Sequence, residues 1–114
     1  MTKHEDREVV CQNRVNGGMG FIMKEALLSE EELGEHCKMF SKVTLKPFCE
    51  LGHHEHYDET ETYYILSGKG MYEDDGKAIP VEAGDVLFCK DGCGHGIKNT
   101  GEDDLSFIAL ILKK

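Results

Sequence analysis

His53-His54-Glu55-His56-Tyr57-Asp58-Glu59-Thr60-Glu61-Thr62-Tyr63-Tyr64-Ile65-Leu66-Ser67-Gly68 is the stretch on which the reading of this chain turns. Three of the six histidines fall there within four residues. Side chains alternate across an extended strand, so His54 and His56 share one face and His53 takes the other. Glu61 lies beyond the Tyr57-Asp58-Glu59-Thr60 turn and comes back beside the pair on the neighbouring strand if that turn closes a hairpin. Two imidazoles and a carboxylate then converge, a grouping that leaves coordination positions open on a transition metal. It is typical of non-haem iron and equally usable by manganese, nickel, cobalt or copper. A fourth ligand is available in His95, far downstream, whereas His4 and His36 stand alone.

Outward from this stretch, every segment after Cys37 is short, rich in β-branched and aromatic residues and bounded by turn chemistry. That is the habit of an all-β sandwich or barrel. The expected strands are 37–46, 53–57, 61–67, 69–74, 77–81, 86–90, 95–99 and 105–112. Ser67-Gly68-Lys69-Gly70, Asp74-Asp75-Gly76 and Glu82-Ala83-Gly84-Asp85 supply the turns between them. Upstream, Phe21-Ile22-Met23 reads as a strand, and Ser29 with Glu32 forms a capping box for a short helix ending near Gly34. Residues 1–13 are mostly polar and read as a mobile or docking arm. The expected division is 1–35 for arm, strand and short helix and 36–114 for the barrel, in a single domain overall. Leu105 to Leu112 is apolar on both parities, so its second face needs a cover, either the N-terminal arm or a second subunit, and a two-fold homodimer is the favoured one.

At 114 residues the chain is sized for one core. Its net charge of -9 repels phosphate backbones and anionic membranes, and no apolar run approaches the length of a membrane span. The first residues have none of the apolar stretch of a secretory signal, so the expected compartment is the cytoplasm. Five cysteines without a C-x-x-C pair read as reduced, packed thiols, including Cys93 beside His95. Asp58 and Glu59 read as solvated rim charges, and His53 as a surface or interface residue. Asn99 is expected to fix a turn through local hydrogen bonds.

The order His54-x-His56-x4-Glu61-x6-Gly68 resembles the first cupin motif, and Gly84-x5-Lys90-x-Gly92-x2-His95-x3-Asn99 resembles the second. Phe48 stands where the first motif opens with Gly, and Lys90 where the second has Pro. Gly52 is expected to supply some of the flexibility lost at Phe48. The resemblance implies a double-stranded β-helix, the jelly-roll barrel of small single-domain cupins, here with a short N-terminal helical turn and arm. It also implies that His54, His56, Glu61 and His95 bind one divalent transition metal per subunit, drawn from Fe, Mn, Ni, Zn, Co and Cu.

Such a centre would act on a small polar metabolite by isomerase, lyase or decarboxylase chemistry of the Lewis-acid kind, or by dioxygenation. The reading from a different class is a non-catalytic module that senses or holds a metal or a sugar-like ligand. Tyr63 shares the parity of Glu61 and points inward, where its hydroxyl orients a substrate as the candidate catalytic residue or satisfies a core hydrogen bond.

Overall fold

In a computed structural model describing residues 1–114, the alternating segments form ten strands. They are β1 (Val9–Asn13), β2 (Phe21–Ala26), β3 (Cys37–Leu45), β4 (Glu50–Glu55), β5 (Glu59–Ser67), β6 (Lys69–Asp74), β7 (Lys77–Glu82), β8 (Val86–Cys89), β9 (Gly94–Asn99) and β10 (Leu105–Lys113). All pairings are antiparallel. One sheet has the order β1-β2-β3-β10-β5-β8 and the other β4-β9-β6-β7, so the chain is the expected all-β jelly-roll barrel. The single α-helix, α1 (Glu30–Leu33), begins with the expected capping box, in which the Ser29 and Glu32 side chains bond each other's backbone N–H. No helix is long and apolar enough to cross a membrane.

The core lies between the inner faces of the two sheets. Leu45 of β3, Tyr63 and Ile65 of β5, and Leu105 and Phe107 of β10 are wholly buried there. Register places Val43, Phe107 and Ile65 side by side across three strands, so each apolar residue of the alternation meets apolar neighbours on both sides. On β10 the residues Leu105, Phe107, Ala109 and Ile111 all point into this core. The opposite face of β10 carries Ile108 and Leu110, partly buried, and Leu112, exposed.

Two features differ from expectation. Residues 9–13 are not a mobile arm: β1 pairs along its whole length with β2, and Arg7 is anchored to Glu25 at 2.8 Å. Every residue of β1 is exposed, so this edge strand is held by backbone hydrogen bonds that leave no apolar periodicity to read. The second difference is in β4, which begins at Glu50 and carries an irregularity between Leu51 and His54. That bulge lets Leu51 and His54 both face inward although only two residues, Gly52 and His53, lie between them.

Backbone conformation accounts for the motif residues that are not ligands. Phe48 itself adopts the left-handed conformation, with φ 70°, that a glycine there would take without strain. Gly52 does not supply that flexibility. A Cβ on Gly52 would collide with the backbone of Asn16 and Gly18, so its role is to let β4 and the 15–17 turn approach closely. Asn99 is fully buried and ties its turn as expected, donating to the Leu45 and Asp103 carbonyls and accepting from the Gly101 N–H.

Candidate metal centre

Antiparallel pairing sets His54 of β4 directly opposite His95 of β9. His56 lies one residue beyond the end of β4, held where its N–H donates to the Cys93 carbonyl and its own carbonyl accepts from the Gly92 N–H. Glu61 comes from β5 in the other sheet, between Ile111 and Cys89. The two sheets thus supply a common point that neither strand pair contains alone. His56, Glu61 and His95 are at most 4% exposed there.

Three ring nitrogens surround one carboxylate oxygen. Glu61 Oε1 is 2.8 Å from the Nε2 atoms of His56 and His95 and 3.2 Å from that of His54. The His95 Nε2 is also 3.0 Å from His54 Nε2 and 3.1 Å from His56 Nε2. The outer ring nitrogens assign the protons. His54 Nδ1 lies 2.9 Å from the Gly52 carbonyl and His56 Nδ1 2.5 Å from a Glu59 carboxylate oxygen, both acceptors, so these rings carry their protons on the outside. His95 Nδ1 meets the Tyr72 hydroxyl at 2.8 Å, which completes the same pattern when that oxygen accepts.

In this arrangement bare nitrogens and an anionic oxygen crowd together and repel unless a cation or protons sit among them. The donor set fits a metal. Bonds of about 2.1 Å at right angles place neighbouring ligand atoms about 3.0 Å apart, which matches the separations here. All four ligand atoms lie within 4.8 Å of one another.

Electrostatics agree. Burial alone would raise the pKa of Glu61, yet its contacts with His54 and His95, which become favourable as those rings take up protons, hold it down at about 2. Burial likewise works against protonation of His54, but the Glu61 and Gly52 contacts outweigh it and raise its pKa. For His95 burial prevails over Glu61, and the pKa falls. Glu61 therefore remains an anion and His95 a neutral imidazole near neutral pH, the forms that bind metals.

The remaining sequence candidates fall into place around this cluster. Tyr63 is wholly buried and faces inward, its ring stacked on His95 at 4.9 Å and 19°. Its hydroxyl has no hydrogen-bond partner, and burial followed by the Glu61 charge pushes its pKa well above the usual value. His53 points away from the cluster and pairs with Glu73 at 2.8 Å. Cys93 serves through its carbonyl, and burial pushes the Cys89 thiol up to about 11, leaving it protonated.

Glu59 corrects the reading of a solvated rim charge. Its side chain is 12% exposed and bridges His56 Nδ1 to Lys38 Nζ, the latter at 2.9 Å. Positions 59, 61 and 63 share one strand parity, which was the available signal. Tyr72, the partner of His95, had no comparable signal, because its strand meets β9 only through tertiary pairing.

His54 and His56 border a cavity of about 270 Å³ with an apolar wall that includes Val43, Leu51, Ala109 and Ile111. A ligand reaching the four convergent groups from this side would meet polar atoms at one end and hydrocarbon along its length.

A family model described as Cupin domain matches residues 41–111. The chain is 41% identical over 100 residues to an oxalate-binding protein of Thermotoga maritima, covering 88% of this chain and 83% of that protein. It superimposes with a TM-score of 0.95 and 36% identity on the crystal structure of a predicted oxalate decarboxylase from Thermotoga maritima, covering 100% of this chain and 99% of the other. A glucose-6-phosphate isomerase of Thermococcus onnurineus is 33% identical over 75 residues, which is 60% of this chain and 40% of that enzyme.

Proposed function

The chain belongs to the cupin family, and from that premise we propose that it is a mononuclear metalloenzyme acting on a small oxygen-chelating acid, with oxalate as the first candidate. His54, His56, Glu61 and His95 hold one divalent transition metal. When bound, such an ion supplies Lewis-acid polarisation of a chelated carbonyl or carboxylate, the basis of isomerase, lyase and decarboxylase chemistry, or a centre for dioxygenation. The single observation that carries this reading is the convergence of three imidazole nitrogens on one carboxylate oxygen beside an accessible cavity. The Thermotoga proteins support the choice of a small diacid.

The chain's own residues orient the centre. Gly52, Glu59 and Tyr72 hold the outer nitrogens of the three rings, and each fixes a ring plane as well as a proton. Tyr63 acts as a positioning residue through its stack on His95, its hydroxyl having no hydrogen-bond partner of its own. The apolar wall excludes water from the ligand's flank.

A second reading is binding without turnover. One observation favours it: of the cavity's carboxylates, Glu59 is committed to His56 and Lys38, and Glu55 accepts from the Tyr57 hydroxyl. No uncommitted carboxylate is therefore at hand as a base. The two readings separate when protein loaded with each candidate metal is given oxalate. Heat of binding accompanied by release of carbon dioxide, or by uptake of oxygen, supports the enzyme; binding with neither supports the module. His54→Ala and His95→Ala are expected to lower metal content sharply with the circular dichroism spectrum retained. Wild-type metal content in both variants would overturn the site. The cytoplasm is the proposed compartment, and the proposed assembly is a homodimer through the outer face of β5, β8 and β10.

A further inference from the structure

Lys24 is the charged residue of the cavity that the metal-centred reading leaves unused. It sits on β2 directly opposite Val43, two residues after the buried Ile22, so its alkyl stem runs along the inner face toward the cavity that His54 and His56 also border. The cavity's other cation, Lys38, is neutralised by Glu59 at 2.9 Å. Lys24 has no carboxylate within 4.0 Å, although acidic residues outnumber basic ones by 22 to 13 in this chain. Gln12 and Asn16 border the same space with amide groups. Size points the same way. A two-carbon diacid displaces on the order of three waters, roughly 90 Å³, whereas the cavity offers about 270 Å³.

We propose that Lys24 forms a second anion subsite, and that the preferred ligand is a chelating hydroxy- or keto-acid with an additional carboxylate. One end binds at the His54, His56, Glu61 and His95 centre and the other pairs with the Lys24 ammonium. The subsite rests on the metal-centred reading above. An ammonium that reaches into this cavity beside its apolar wall would gain strongly from an anionic partner, because the charge-assisted hydrogen bond forms where little water competes.

The test compares malate with 2-hydroxybutyrate on nickel-loaded protein by calorimetry. The two share the chelating hydroxyacid and differ in having a carboxylate or a methyl group at the far end. Wild-type protein is expected to bind malate at least tenfold more tightly. Lys24→Met is expected to abolish that preference while leaving 2-hydroxybutyrate affinity within twofold of wild type. A preference that survives in Lys24→Met, or none in the wild type while both acids bind, overturns the subsite and leaves the metal reading intact. If neither acid binds protein whose nickel content is verified, both the chelating-ligand reading and the subsite fall.

Discussion

Glu59 shows how much a single side chain outside the ligand set can contribute. By accepting from His56 Nδ1 while it pairs with Lys38, it holds the imidazole in the tautomer that presents Nε2 to the centre. Burial opposes its negative charge, but the His56 and Lys38 contacts outweigh that cost and keep its pKa low. Replacing Glu59 by Ala should weaken metal affinity by about 10- to 100-fold, measured by competition with a chromophoric chelator. Glu59→Gln, which keeps an accepting oxygen, should recover part of the loss; equal affinity of the Ala variant and wild type would refute the role. Phe48 makes a complementary point. It is 71% exposed and holds a left-handed φ, so the turn geometry usual for glycine survives without one, and the strain is borne by the backbone. His54 and His56 were legible because their spacing and parity are local, and His95 because it stands in a second motif that resembles the cupin pattern. Glu59 was legible in the same way but was outweighed by its charge and its place beside a turn.

Among the elements, β4 is the one that the site depends on most. Its irregularity between Leu51 and His54 resets the parity so that the core residue and the candidate ligand share a face. Gly52 lies within that irregularity, and its lack of a side chain lets the 15–17 turn close over the strand. Val15 and Asn16 of that turn form part of the cavity wall. Gly52→Ala must push backbone against backbone, so a loss of about 1–3 kcal/mol is expected in urea denaturation. Ligand affinity should fall more than metal content, because the displaced turn borders the cavity and carries no ligand. An unchanged midpoint would show that the close approach is not required. A bulge and an edge strand such as β1 share one reason for escaping a sequence reading. Both are defined by which backbone groups pair, and the side chains do not encode that locally.

At the scale of the whole molecule, the outer face of the larger sheet is the unfinished part. Tyr64, Leu66, Val86 and Phe88 are 48%, 42%, 63% and 58% exposed, and pairing of Tyr64 with Val86 and of Ile108 with Tyr64 makes them one patch with β10. A second copy is the proposed cover, since an uncharged patch on a chain of net charge -9 matches itself better than it matches the acidic remainder. Light scattering should therefore give twice the 12.8 kDa chain mass, and Phe88→Glu should give a folded monomer. A monomeric wild type would remove the proposal. The sequence by itself determined the all-β class, the turns, the capping box and the shared face of His54 and His56, because each depends on alternation or spacing within a short segment, whereas Glu61 needed a closed hairpin and His95 entered through the resemblance to the second cupin motif. Tertiary structure decided that β1 joins the sheet, that Tyr72 and Glu59 orient the rings, and that Lys24 shares a cavity with His54. Those relations join residues on different strands, and only pairing and packing bring them within reach of one another.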